Sequence, residues 1–539
     1  MKKIIFLLLL NLLLFSCARV GAPNGGTRDS LAPKFLGSNI DTTRLNVSRT
    51  VKELRLDFDE YVMLKDFNKN FNVSPPIKKI KKVIPSNLAN KYVLIQWEDT
   101  LQANTTYNFN FGNAIVDNNE SNPLPYFNFA FSTGDKIDDL FVSGTVKDAM
   151  TLIKENQTAK DNKMVVGLYK AGENLDYKQK PDYITKVDEE NYFELNFLPK
   201  GEFVIIAFDD ENQNSVYDAG KEKVSFLKEK ITLDSTSVRG LKLKLYPSKK
   251  VVKYKESKAI NGGLLMTFEG NPETVEVKSL SEELKDFKVT HAKRSDSVNI
   301  WFDAEKSNLG GTVSKQVKLS YFTPTISDTI SVSYKAVKEE FKLSNEAGNL
   351  IAPENNFVIN TSLPIENLNT SSWKLESDSI AQDFTAKISE KNPFKILVNS
   401  SFKPTKKYVL TIPKETVSSY YSSNDKSFQF QFEIDKPENY GSFTAVIKNK
   451  PTAKFWVELT NEKGEILYSQ FTNASEVSFK NLKPATYIAR IRVDNNGNGF
   501  WDEADFAQNI AAEDVYIFEK EINVRPLWEI KEDWELINH

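Results

Sequence analysis

Two stretches of alternating residues decide the fold: residues 106–112 read TYNFNFG, and residues 127–132 read FNFAFS. In both, aromatic residues occupy every second position, with asparagine or alanine between them. A period of two is typical of a β-strand with one buried face, because successive side chains of a strand point to opposite sides. The same alternation recurs along the chain, whereas no long helical pattern follows residue 17. The sequence therefore predicts an all-β protein.

Two internal repeats group these strands. One constant offset, which carries Tyr107 onto Tyr408, superimposes the apolar positions of residues 58–131 on those of residues 359–432 without insertion. A second offset, which carries Asp210 onto Asp494, relates two Asp- and Asn-rich loops. We expect two copies each of two kinds of β-sandwich, since short strands separated by turn residues favour sandwiches in series.

The N-terminus has the composition of a secretory signal. Two lysines precede the apolar run of residues 4–15, which is too short for a membrane-spanning helix of about 20 residues. The run ends in LFSC at residues 14–17 and resembles a lipobox, which implies that Cys17 becomes the lipidated, palmitate-bearing first residue of a lipoprotein. In lipoproteins of this kind an aspartate directly after the cysteine often signals retention in the inner membrane, so Ala18 points to the outer membrane. The alternative is a signal peptide with a chance cysteine. Cys17 is the only cysteine of the chain, which excludes an intramolecular disulfide framework.

The predicted architecture is an elongated multidomain chain of serial Ig-like and pre-albumin-like β-sandwiches on an N-terminal lipid tether, with little core shared between sandwiches. About 520 mature residues require several domains, because single cores rarely exceed about 300 residues. The segments are a signal peptide (1–16), a Gly- and Pro-rich tether (17–32), Ig-like sandwiches (33–135 and 338–435), regulatory-like sandwiches (138–247 and 437–525), a sandwich of uncertain type (250–336) and a C-terminal strand or tail (526–539).

The first sandwich resembles a known family. Residues 58–66 read FDEYVMLKD, residues 111–120 read FGNAIVDNNE, and residues 131–135 read FSTGD. These stretches are similar to the SbsA-type bacterial Ig-like domain of large outer-membrane lipoproteins. The 138–247 segment is similar, more loosely, to carboxypeptidase-regulatory-like β-domains. The resemblance implies architecture and an outer-membrane location, and it implies no reaction.

The Asp-rich loops have two interpretations. Alternating Asp and Asn oxygens on a short loop suit calcium, and a backbone carbonyl serves at position 7 of such a loop. They equally suit a hairpin turn that caps its own backbone, in which case no cofactor is required. The candidate ligands are Asp494, Asn496, Asn498, Phe500, Asp502 and Asp505 in the second loop, and Asp210, Asn212, Asn214, Val216 and Asp218 in the first.

Residues suited to catalysis are scarce. The two histidines, His291 and His539, lie in a predicted strand and at the last position, so neither a Ser-His-Asp arrangement nor a multi-histidine zinc site can be built. Asp57 and Asp59 share a strand face, which a solvated face explains as well as a hydrolytic pair does. We expect no enzymatic activity.

Charge and surface residues limit the classes of partner that the protein can bind. The net charge of −3 gives no electrostatic basis for binding nucleic acid. Residues 78–82 (KKIKK) suit anionic lipid or a protected strand edge, and Tyr61 and Tyr126 suit sugar stacking or rim packing. We expect a scaffold or accessory subunit that binds other envelope proteins, with a β-barrel assembly or export complex as a natural partner. The alternative is a surface glycan-binding or adhesin-like lipoprotein, and both faces of the outer membrane stay open.

Overall fold

The computed structural model describes residues 30–152, 163–172, 175–337, 339–346 and 348–536. The predicted signal peptide, Cys17 and His539 therefore lie outside the described residues. The described part is nearly all β, and its longest α-helix, α1 (Phe67–Asn70), has four residues. No described helix has both the length and the apolar character needed to cross a bilayer. The all-β, multidomain fold class is confirmed.

The first sandwich packs two sheets face to face. One has the order β1-β2-β5-β4, with β7 also on β2, and the other has the order β3-β6-β8. Its core is aromatic, because the alternating phenylalanines of the last strands all turn inward. The strands are β1 (Phe35–Ser38), β2 (Glu53–Leu64), β3 (Asn72–Ser74), β4 (Ile80–Ile84), β5 (Asn90–Trp97), β6 (Thr106–Gly112), β7 (Ile115–Asp117) and β8 (Phe127–Ser132).

The second sandwich pairs a sheet of order β11-β10-β13-β14, with β15 also on β13, with a sheet of order β12-β9-β16. Strand β16 runs parallel to β9, whereas the other pairings are antiparallel. The strands are β9 (Leu140–Asp148), β10 (Met164–Lys170), β11 (Tyr183–Lys186), β12 (Tyr192–Leu198), β13 (Gly201–Asp209), β14 (Val224–Phe226), β15 (Ile231–Leu233) and β16 (Val238–Leu245).

The third sandwich has sheets of order β17-β18-β21-β20 and β19-β22-β23 around a core of its own. The strands are β17 (Lys253–Ile260), β18 (Gly263–Glu269), β19 (Glu276–Ser279), β20 (Lys288–His291), β21 (Ser297–Trp301), β22 (Lys315–Phe322) and β23 (Ser327–Tyr334).

The fourth sandwich has the orders β24-β26-β31-β30 and β25-β34-β32-β28-β29, with the short pair β27-β33 and a 3₁₀ turn at Thr370–Ser372. Another 3₁₀ turn, Pro437–Asn439, leads to the fifth sandwich. The strands are β24 (Leu343–Asn345), β25 (Leu350–Ile351), β26 (Phe357–Thr361), β27 (Asn367–Leu368), β28 (Lys374–Ser377), β29 (Ile380–Ala381), β30 (Phe384–Ser389), β31 (Asn392–Ser400), β32 (Lys407–Ile412), β33 (Val417–Ser418) and β34 (Phe428–Ile434).

The fifth sandwich has the orders β37-β36-β39-β40, with β41 also on β39, and β38-β35-β42. Its closing strand β42 runs parallel to β35, as β16 does to β9 in the second sandwich. The strands are β35 (Gly441–Lys448), β36 (Phe455–Thr460), β37 (Ile466–Thr472), β38 (Glu476–Leu482), β39 (Ala485–Val493), β40 (Val515–Ile517), β41 (Ile522–Val524) and β42 (Glu529–Glu535).

Local details repeat along with the topology. The Tyr107 hydroxyl accepts a hydrogen bond from the backbone N–H of Gln102 at 2.8 Å, and the Tyr408 hydroxyl accepts one from Lys403 at 2.8 Å. Such a tyrosine fastens the end of a strand to the preceding corner of a sandwich. The first and fourth sandwiches therefore share this hydrogen bond, in agreement with the constant offset that relates the two tyrosines.

An apolar cluster joins the second and fifth sandwiches, so the expectation of little shared core is wrong at that place. Residues 203–208 read FVIIAF and are apolar at every position. Phe203, Ile205 and Ala207 face the core of the second sandwich, while Ile206 and Phe208 face outward and are fully buried. A strand that is apolar on both faces needs cover on both. The outer cover includes Phe506 of the fifth sandwich.

Candidate functional site

The two Asp-rich loops occupy equivalent places in the second and fifth sandwiches. The first follows β13 and leads to β14, and the second follows β39 and leads to β40. In both sheets the strand before the loop pairs with the strand after it. The repeat therefore places the two sets of candidate ligands at equivalent ends of equivalent sheets.

In the second loop, the side chains bind the loop's own backbone. The Asp494 carboxylate accepts hydrogen bonds from the N–H groups of Asn498 and Gly499, both at 3.0 Å. The side-chain amides of Asn496 and Asn498 donate to the Asp502 carboxylate. Gly499 has φ +81°, in the left-handed region that glycine adopts without steric cost. Asp505 lies apart from this set, because its carboxylate accepts from Gln508 within the next turn.

The first loop shares most of these bonds, but two of its non-glycine residues, Gln213 and Ser215, have positive φ. The Asp210 carboxylate accepts from the N–H groups of Asn214 and Ser215, both at 3.0 Å. The Asn212 amide donates to Asp218 at 2.6 Å. Ser215 stands where the second loop has a glycine and adopts φ +61°, a conformation that costs a non-glycine residue about 1–2 kcal/mol.

A buried glutamate fastens each loop, and Glu513 was not among the predicted residues. Its two carboxylate oxygens accept from the N–H groups of Asn496 at 3.1 Å and Asp502 at 3.0 Å. Glu222 does the same for Glu211 and Asp218 at 3.1 and 2.8 Å. Burial raises the pKa of Glu222 to about 7, against the opposing effect of its backbone hydrogen bonds, and it also raises the pKa of Glu513. Because the spacing from the first Asp differs between the loops, the repeat alone did not reveal the pair.

These bonds bear on the calcium interpretation. The asparagine amides present N–H groups to the aspartates, which is the arrangement of a turn that caps its own backbone. Among the described residues, no group of three or more His, Cys, Asp or Glu side chains is arranged to hold a metal ion. The geometry favours the turn, and calcium binding stays a prediction.

The segment after the second loop inserts into the second sandwich. The Phe506 ring lies 4.4 Å from that of Tyr177 and 5.1 Å from that of Phe226, measured between centroids. The backbone of Ala504 extends the contact, donating to Pro247 at 3.1 Å and accepting from Lys249 at 2.8 Å. We call residues 501–509 the clasp, because they hold the fifth sandwich against the second.

The third sandwich also contacts this junction. The Arg294 guanidinium donates to Asp502 at 2.7 Å and to Glu273 at 2.6 Å, and it lies 4.6 Å from the centroid of the Phe500 ring. Burial opposes ionisation of Asp502, but hydrogen bonds from Asn496, Arg294 and Asn498 outweigh it and hold the pKa of that carboxyl below its usual value. The second loop is therefore a meeting point of three sandwiches.

A buried ion cluster, which no residue pattern predicted, lies on the outer sheet face of the fifth sandwich. Glu458 is fully buried and accepts from Arg490 at 2.7 Å and from Arg492 at 2.5 Å. The repeat-equivalent face of the second sandwich is apolar and covered by Phe506. The two copies therefore keep one topology but use this face differently.

The other candidate residues are scattered over the surface. Asp57 pairs with Arg55, and Asp59 accepts from the backbone N–H of Lys34 at 2.8 Å. His291 lies in β20 with its ring Nε2 3.1 Å from the Ser295 carbonyl oxygen. The basic run is exposed and overlaps the first part of the edge strand β4. None of these residues joins the loops described above.

Comparison with known proteins places the first sandwich in a family. Residues 29–133 match the bacterial Ig-like domain family. The predicted Ig-like domain is thereby confirmed for this part of the chain. The SbsA subtype and the lipoprotein character stay predictions. A search of curated protein sequences finds no match.

Solved structures show only distant similarity. Surface layer protein SbsC, domains 1–6, is 12% identical over 92% of this chain and 67% of that one, with a TM-score of 0.15. BcpA, the major pilin subunit of Bacillus cereus, is 11% identical over 74% of this chain and 99% of that one (TM-score 0.14). The Bacteroides ovatus glucan-utilization protein SGBP-B, solved with a mixed-linkage heptasaccharide, is 10% identical over 71% and 94% (TM-score 0.19). Similarity at this level carries no argument about function.

Proposed function

We propose that this protein is a non-enzymatic scaffold of the bacterial outer membrane, anchored through acylated Cys17, that binds other envelope proteins. The observation that carries the proposal is the junction of three sandwiches at the second Asp-rich loop. Sandwiches joined only by linkers would move independently, because interfaces between domains are small by default. The clasp and Arg294 tie distant parts of the chain together, which suits a protein that holds partners at set positions. A β-barrel protein or its assembly or export complex is the partner class we favour.

The anchor is tested by metabolic labelling with an alkyne analogue of palmitate. The wild-type protein should be labelled and fractionate with the outer membrane, and Cys17→Ala should lose the label. Ala18→Asp is the matched control, which should keep the label while moving towards the inner membrane. A label that survives in Cys17→Ala would rule out lipidation at this cysteine.

Partner binding is tested in the native host by crosslinking, affinity purification and identification of the recovered proteins. The wild type should recover one outer-membrane barrel or assembly complex reproducibly. Recovery should fall in Cys17→Ala, which lacks the anchor, and in Phe506→Ala, which lacks the clasp side chain. Equal recovery with all three proteins would contradict the scaffold proposal.

Glycan binding is the second candidate, and exposed aromatic residues favour it. Tyr61 and Tyr126 are 55% and 70% exposed, and exposed aromatic rings can stack on sugars. A glycan array should show saturable binding by the wild type that is lost in Tyr61→Ala and Tyr126→Ala. Leu88→Ala, at a residue that is 81% exposed, is the control for loss of surface apolar area.

We also propose that the Asp-rich loops stabilise the junction without requiring a cofactor. Their carboxylates already accept backbone hydrogen bonds, as a turn requires. Thermal unfolding should then give the same midpoint in millimolar calcium and in chelator. A calcium-dependent rise that disappears in Asp494→Ala would instead establish the second loop as a calcium site.

A further inference from the structure

Strand β37 is an edge strand with unusual composition. It reads ILYSQFT and pairs only with β36. Ile466, Leu467 and Phe471 are 46%, 49% and 45% exposed. A sheet edge that combines free backbone groups with exposed apolar side chains is a template for pairing with another strand.

Other edges of the described sheets are protected. Charged side chains occupy edge strands such as β4, β17 and β30, where lysine recurs, and β8 is uncharged but mostly buried. Among edge strands of five or more residues in the described part of the chain, β37 alone is both uncharged and mostly exposed. Natural sheets place charges at edges to prevent pairing, and this strand lacks that protection.

The repeat shows what the equivalent strand does elsewhere. Strand β11 of the second sandwich occupies the place of β37. Tyr183 of β11 makes an edge-to-face ring contact with β13, and Tyr468 of β37 makes the same contact with the equivalent strand β39. In the pairing register, Ile184 therefore corresponds to Ser469. Strand β11 is buried, and the Ile184 N–H donates outward to Ser74 of the first sandwich at 3.3 Å. The same edge therefore contacts another sandwich in the second sandwich and is exposed in the fifth.

We propose that β37 pairs antiparallel with β37 of a second copy of this chain, forming a two-fold dimer with one sheet continuous across it. Residues directly opposite each other in such a pair point to the same face of the sheet. A shift of the pairing by one residue would place outward side chains of one copy opposite inward side chains of the other, so only shifts of two residues are allowed. The register that pairs all seven residues places Ser469 opposite Ser469 of the second copy. By equivalence with Ile184, the Ser469 N–H points away from β36, so the two serines would exchange both backbone hydrogen bonds.

Side chains around β37 suit this self-pairing. Glu465 directly precedes β37. Lys454 directly precedes β36 and lies at the other end of β37, with its ammonium 5.6 Å from the centroid of the Phe471 ring. Antiparallel pairing therefore brings Glu465 of one copy beside Lys454 of the other. It also brings Leu467 opposite the second copy's Phe471, which covers exposed apolar surface on both sides. A contact of this size is at the low end of specific interfaces, so the dimer should dissociate on dilution.

The test is sedimentation velocity of the full chain in detergent over a range of concentrations up to about 100 µM, suited to a dissociation constant near the micromolar scale. The wild type should show a reversible monomer–dimer equilibrium. Ser469→Lys places two like charges face to face and should raise the dissociation constant at least about tenfold. Thr329→Lys adds the same charge to the exposed edge strand β23 and should leave it unchanged.

A disulfide test fixes the register. In a Cys17→Ala background, Ser469→Cys gives one cysteine per chain, and facing residues of an antiparallel pair lie about 5.5 Å apart at Cα, within disulfide range. Treatment with diamide should yield a crosslinked dimer for Ser469→Cys and not for Thr329→Cys. A wild type that stays monomeric at every concentration, or equal crosslinking at both positions, would overturn the proposal.

Discussion

Ser215 and Gly499 occupy equivalent positions in the two Asp-rich loops. Both have positive φ, at +61° and +81°, and both N–H groups donate to the first aspartate of their loop. We predict that Ser215→Gly stabilises the protein by about 0.5–1 kcal/mol, since relief of the left-handed strain exceeds the entropy that glycine loses on folding. The converse change, Gly499→Ser, should destabilise it by a similar amount. Denaturant midpoints measure both.

Glu222 makes stability depend on pH. Its pKa is about 7 in the folded protein, above the usual 4.5. Between these two pH values the unfolded chain loses this proton while the folded chain keeps it, so stability falls as pH rises from about 4.5 to about 7 and is constant above. Glu222→Gln should flatten this part of the stability–pH profile measured by thermal unfolding. Glu229→Gln, at an exposed loop position, is the control that should leave the slope unchanged.

At the scale of elements, the outer sheet face of the fifth sandwich depends on charge balance. Glu458 neutralises part of the charge of Arg490, which is 6% exposed, and of Arg492. Removing one partner of a buried ion pair leaves uncompensated charge, so Glu458→Gln should destabilise the protein by about 3–5 kcal/mol. Glu519→Gln, at an exposed position of the same sandwich, should change stability by less than about 0.5 kcal/mol. Urea unfolding of the two variants distinguishes them.

Strands could be predicted from sequence where one face is buried, because alternation of side chains is a local property. The stretches TYNFNFG and FNFAFS become β6 and β8, as expected. The run FVIIAF in β13 carried a further signal, since a strand that is apolar at every position needs cover on both faces. The sequence did not indicate that Phe506, almost three hundred residues later, provides part of that cover.

At the scale of the whole molecule, the clasp couples the second and fifth sandwiches. Phe506 is 5% exposed and packs on aromatic residues of the second sandwich. Phe506→Ala should cost about 3–5 kcal/mol if the site cannot collapse. Faster hydrogen exchange in β10 and β13 should accompany this loss, because their outer faces lose cover. Phe322→Ala, at a ring that is 42% exposed, should leave exchange in these strands unchanged.

The sequence by itself determined the β class, the recurrence of two sandwich types and the positions of the Asp-rich loops. Each of these follows from residue patterns within one strand or one turn. Only the tertiary structure brought Glu513 to the second loop, placed Arg294 against Asp502 and buried Phe506 in the second sandwich. It also covered β11 while leaving β37 exposed. Apart from that of Glu513, these contacts join residues far apart in sequence and depend on how whole sandwiches pack, which the period of a strand does not encode.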